Sequence, residues 1–197
     1  MKSKFSKDKT KLLVTLALLT ALVSVLAYFG GFIKIGIASI SLTLVPVVLG
    51  AALCGPWAGA WLGFVAGAVF FLTPDAAFWL GMSIPGTVLT VLIKGFSAGL
   101  AAGYIYKLLK GVNKYLAVLI SAIVCPIVNT GIFLVGCRLF FWDFVLSSAD
   151  ATGKSVIGYL IVFMVSINFI FELVVNIVLT PSILKLLNLS KINKGQR

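Results

Sequence analysis

Histidine is missing from this 197-residue sequence, and acids are scarce: five Asp and Glu stand against sixteen Lys and Arg. Without histidine, and with only Asp8, Asp75, Asp143, Asp150 and Glu172 spread along the chain, there is no evident metal cluster or catalytic dyad. The three cysteines, Cys54, Cys125 and Cys137, lie in or beside apolar stretches and lack CxxC spacing. That suggests neither a zinc site nor a disulfide framework, and the burial of small residues accounts for them. No cofactor is expected. Charge of either sign is short too, at 11% of residues against 61% hydrophobic, with a mean hydropathy of +1.16. A water-soluble fold would have too little polar surface.

What is abundant is apolar sequence in long runs, which predicts an all-α integral membrane protein. Six spans are expected, at roughly Leu12–Phe29, Leu42–Cys54, Trp57–Leu72, Ile84–Leu109, Tyr115–Trp142 and Val156–Leu187. The second and third fall short of the ~20 residues that cross a hydrocarbon core. Gly55-Pro56 makes a tight turn between them. The second either borrows part of Ile35–Ser41 or packs beneath it. The first apolar run is long and lacks a clear A-x-A site, so it reads as a retained span rather than a cleaved signal.

Basic residues collect in three places: Lys2, Lys4, Lys7, Lys9 and Lys11; Lys107, Lys110 and Lys114; and Lys185, Lys191, Lys194 and Arg197. Under six spans all three groups share one side, which the positive-inside rule makes the cytoplasm. Residues 1–11 are then a basic cytoplasmic N-terminus, 12–187 a single six-helix membrane domain and 188–197 a basic cytoplasmic tail. Residues 30–41, 73–83 and 142–155 lie outside.

Small residues recur every fourth position as Gly55, Gly59, Gly63 and Gly67, and again as Gly95, Gly99 and Gly103. Such stripes let helix backbones approach closely in lipid, and packing within one subunit is the expected use. Ala17 and Ala21 form a similar patch on the first span.

Lys94 lies near the middle of the fourth span, where an unpaired ammonium is expensive and must meet a carboxylate, carbonyls, water or a ligand. Thr87, Thr90 and Ser97 share its face at 100° per residue. Asn168, Glu172 and Asn176, four residues apart, stack along the last span, and Glu172 is the natural counter-ion for Lys94. The pair either orders the bundle or forms the floor of a ligand site. Asn129 and Arg138, nine residues apart, fall on opposite faces of a regular helix; Asn129 is favoured for the cavity and Arg138 for snorkelling or an outer loop. Trp79, in the outer segment FLTPDAAFWLGMSIP, is placed to stack over a site entered from outside.

Four stretches together resemble the substrate-binding S components of energy-coupling factor (ECF) transporters. They are SLTLVPVVLGAALCGPWAGAWLGFVAG, VLIKGFSAGLAAGYIYKLLK, PIVNTGIFLVG and NFIFELVVNIVLTPSILKLL, and they are most similar to the broad subgroup that includes pantothenate, folate and pyrimidine-precursor carriers. The resemblance implies a non-enzymatic six-helix subunit of the bacterial cell membrane, with both termini cytoplasmic. It captures a vitamin or precursor from outside and joins a coupling protein and two ATPases in an ABC-type importer. The absence of a P-loop fits that division of labour. The resemblance also implies that Ala17 and Ala21 contact the coupling protein, and that Lys94, Asn129, Asn168 and Glu172 lie at the substrate site. Thr90 and Trp79 complete the candidate set. A pantothenate-like anion is the leading substrate, and a neutral or cationic vitamin is equally suited if Glu172 neutralises Lys94. Two rival classes predict different behaviour: a self-contained proton-coupled secondary transporter would need no ATPase partner, and a membrane-embedded lipid-modifying enzyme would form product alone.

Overall fold

The structure, a computed structural model, describes residues 2–30, 34–35, 38–39, 42–161 and 166–195, with side chains over 9–30, 42–161 and 169–188. Helix α1 runs Lys2–Gly30 and is followed by a two-stranded antiparallel hairpin, β1 Lys34–Ile35 and β2 Ala38–Ser39, paired Lys34 to Ser39 and Ile35 to Ala38. Then come α2 Leu44–Cys54, α3 Pro56–Phe70, α4 Pro74–Met82, α5 Ile84–Leu109, α6 Lys114–Phe140, α7 Trp142–Ala151, α8 Val156–Tyr159 and α9 Ser166–Gly195.

Local chemistry sets several of these ends. Gly55, at φ 102°, separates α2 from α3 in a backbone region that L side chains resist, and Pro56 opens α3 where its missing N–H costs nothing. The Ser83 hydroxyl oxygen accepts from the Gly86 amide at the start of α5. At the start of α6, Asn113 Oδ1 accepts from the amides of Tyr115 and Leu116.

Four helical stretches are long and apolar enough to cross a membrane: Lys9–Gly30, Ile84–Leu109, Lys114–Phe140 and Phe169–Asn188. A fifth is reached if α3 and α4 count as one span, although the chain bends by 85° between them. Among the described residues, length and composition thus support four or five spans where the sequence predicts six. The difference lies in α2, whose eleven residues reach only about 16 Å against a core about 30 Å thick. Ile35, Ala38 and Ser39 pair as hairpin strands and do not lengthen it as helix. The expected span Val156–Leu187 is also divided, into α8 and α9, with residues 162–165 outside the described set. Two segments expected as outer loops, 73–83 and 142–155, are mostly the short helices α4 and α7.

Helix α5 is the central strut, packing most extensively against α3 and α6. Toward α3 it presents backbone. A Cβ added at Gly63 would collide with the Gly95 carbonyl, one at Gly59 with Gly99, and one at Gly103 with Pro56, all closer than 3.0 Å. The two glycine stripes therefore pack on each other within one chain, and dispersion contacts between near-bare backbones hold the seam.

Two apolar clusters flank the middle of the bundle. One joins Leu19 and Val23 of α1, Val47 and Val48 of α2, Leu62 of α3, Ala98, Ala102 and Tyr106 of α5, Val118, Ala122 and Cys125 of α6, and Ile183 and Leu187 of α9. The other gathers at the α4–α7 end around Trp79, Cys137, Phe141, Val145, Ala149 and Tyr159.

Candidate functional site

Several of the buried polar residues lie between these clusters. On α6 the inward face runs Val118, Ala122, Cys125, Asn129, Phe133, Gly136, spaced three or four residues apart, so Asn129 sits between one cluster's Cys125 and the other's Phe133. On α5, Thr90 and Lys94 lie one turn apart on the side facing α6. Thr90 packs against Gly136, and the Lys94 ammonium stands over the Phe133 ring at 5.3 Å from its centroid. On α9, Glu172, Asn176 and Thr180 are buried in one stripe that continues into Ile183 and Leu187. The Glu172 carboxylate is within electrostatic reach of both Lys94 on α5 and Cys125 on α6.

Magnitudes show why Lys94 needs both neighbours. A charged side chain at the centre of a membrane helix costs about 2.5–3.5 kcal/mol on insertion scales. A desolvated cation–π contact returns about 2 kcal/mol. Phe133 alone leaves a deficit, and the attraction of the Glu172 carboxylate offsets part of it.

Trp79 is buried at 8% exposure and is held from two sides. Its carbonyl accepts a hydrogen bond from the Thr87 hydroxyl at 2.7 Å. Its indole meets Phe133, Phe141 and Phe144 edge-on, with centroids 5.5, 5.2 and 6.2 Å away. Trp79 thus sits on α4 rather than in an open loop, one ring removed from the Lys94 ammonium through Phe133. Arg138 is exposed and stacks on Trp142 at 4.4 Å, on the opposite side of α6 from Asn129.

Lys94 and Trp79 thus meet the same ring, Phe133, with Thr90 against Gly136 one turn further along α6 and Glu172 within electrostatic reach of Lys94; Asn129 is half-buried one turn before Phe133. The side chain of Asn168 lies outside the described residues, though its backbone starts α9 one turn before Glu172. Phe133 was not singled out by the sequence; its position four residues after Asn129 on the same face was the available signal. Ala17 and Ala21 are exposed on α1, opposite the buried Leu19 and Val23, among exposed Leu13, Val14, Leu18 and Leu22.

A profile of the ECF transporter substrate-specific component family matches residues 11–184, nearly the whole chain. The chain belongs to that family. ECF S components are transport subunits rather than enzymes; they bind small substrates and associate with a membrane coupling protein and ATPases. Family and apolar helices together make this S component a multi-pass membrane protein. Searches of curated proteins and of solved structures find no significant match.

Proposed function

We propose that this S component captures a vitamin or vitamin precursor, with a pantothenate-like anion as the leading candidate, from outside a bacterial cell for ATP-driven uptake. The observation that carries this reading is the polar layer enclosed between two apolar clusters, with Lys94 held over Phe133 rather than facing lipid. In this reading an anionic group of the ligand takes the ammonium. Thr90, Asn129, Asn168 and Glu172 receive its polar groups, and Trp79 on α4 covers the site beside the hairpin. Both termini are cytoplasmic, as loop charge requires under six spans, with α2 and α3 counted as two short spans joined at Gly55-Pro56. Ala17 and Ala21 form the contact with the coupling protein, supported by their exposure on α1.

Mass spectrometry of small molecules released from the purified protein tests the substrate class. Release of an acidic vitamin or precursor supports the reading, and a purely apolar lipid refutes it. Lys94→Ala should reduce ligand affinity about a hundredfold or more while the protein still folds, since a charge-assisted bond in a dry site is lost. Unchanged affinity would sink the site assignment.

A further inference from the structure

Two buried side-chain polar atoms among the described residues have no hydrogen-bond partner: Thr90 Oγ1 and Asn176 Oδ1. They are not scattered. Thr90 lies one helical turn from Lys94, and Asn176 lies one turn from Glu172, the two charged residues of the polar layer. Asn176 is only 1% exposed and Thr90 5%.

The orientation of the Asn176 amide is determined by what it touches. Its Nδ2 donates to the Glu172 main-chain carbonyl at 3.0 Å. A carbonyl only accepts, so the amide nitrogen must face it and the oxygen must point elsewhere. The Asn176 main-chain carbonyl is separately engaged, accepting from the Thr180 hydroxyl at 2.9 Å. What remains unmet is therefore one acceptor, Oδ1, in a region where bulk water does not reach. An amide oxygen buried without a donor is unfavourable, and a membrane interior offers it no relief.

We propose that Asn176 is a specificity-determining residue of the substrate site, whose Oδ1 accepts a hydrogen bond from an N–H or O–H of the ligand. This rests on the transport reading above and narrows its substrate class. The ligand carries an acidic group for Lys94 and, separately, a hydrogen-bond donor for Asn176. A simple monofunctional anion satisfies the first and leaves the second unmet. The Thr90 hydroxyl, able to donate or accept, takes a further polar group near the Lys94 end.

Asn176→Leu tests this with two independent readouts: the Tm of the ligand-free purified protein, and pantothenate affinity alongside mass spectrometry of whatever the protein releases on denaturation. The expected result is an unchanged or higher ligand-free Tm, because an unmet acceptor is removed, together with at least about a tenfold loss of affinity or of retained molecule. A lower Tm with affinity and retention intact would show that Oδ1 serves the fold through a buried water, and overturns the proposal. If pantothenate fails to bind the unaltered protein but another donor-bearing molecule is retained and the variant loses it, the pantothenate reading falls and the role of Asn176 stands. If the retained molecule has no donor, the proposal fails. Where neither pantothenate nor a retained molecule is found, the Tm decides: a fall overturns the proposal, and a rise or no change supports it. Should the leucine variant not fold, Asn176→Ala is read on affinity and retention alone: their loss supports the proposal and their persistence overturns it.

Discussion

The glycine stripes of α3 and α5 and the alanine patch of α1 are written in the same code, a small residue every fourth position, yet the fold uses them in opposite ways. Gly59, Gly63 and Gly67 are filled by the backbone of α5, so closely that no Cβ fits. Ala17 and Ala21 lie exposed on the outer side of α1. A small-residue stripe states that a close approach is possible and does not state whose helix approaches. In this protein the covered stripe holds the subunit together. The uncovered one, under the proposed function, is where the coupling protein docks.

Substitutions at the two stripes should therefore separate cleanly. The largest effect is expected from Gly63→Leu, which drives a side chain into the Gly95 carbonyl across a backbone contact that cannot yield. It should abolish recovery of folded protein, measured as the monodisperse fraction in detergent; a normal yield and Tm would mean the seam is looser than described. Ala17→Trp should leave Tm within about 2 °C and ligand affinity unchanged, because the position is exposed on α1. Co-purification with the coupling protein should nevertheless be lost, and its retention would remove the alanine patch from the interface. The smallest effect belongs to Trp61→Phe. This deletes the bond from Trp61 Nε1 to the Thr20 hydroxyl at 3.2 Å, which ties α3 to the inner side of the alanine helix. A loss of about 0.6 kcal/mol is expected, typical of an interhelical hydrogen bond in a membrane. A much larger destabilisation would show that α1 is fastened mainly at this point.

Legibility along the chain followed the range of the interaction. Membrane character, the Gly55-Pro56 turn and the extent of α5 were readable because they depend on composition or on residues a few positions apart. The opposition of Asn129 and Arg138 was readable for the same reason: helical phase alone places them on different faces, and Arg138 is exposed on Trp142 whereas Asn129 is half-buried. The segment around Trp79 was less readable. PDAAFWLGM is short and follows a Thr-Pro start, so it resembles a loop, but it forms a helix anchored by Thr87 and by rings from α6 and α7. Residues 142–151 became α7 for a related reason, since Val145 and Ala149 bury against that same cluster.

The sequence by itself determined the solvent this protein lives in and the inventory of its interior. Among the described residues one lysine, the acids Asp75 and Glu172 and a few amides and hydroxyls are set into apolar helices whose spacing puts them on defined faces. That much follows from helical periodicity and from the cost of polar groups in hydrocarbon. Only the tertiary structure decided which faces meet. It set Lys94 over Phe133, closed the glycine stripes on each other while leaving Ala17 and Ala21 exposed, and turned α4 by 85° from α3, with Trp79 packed on Phe133. It also left Asn176 Oδ1 without a donor. Each of these depends on contacts between segments far apart in the chain, and no local propensity specifies them.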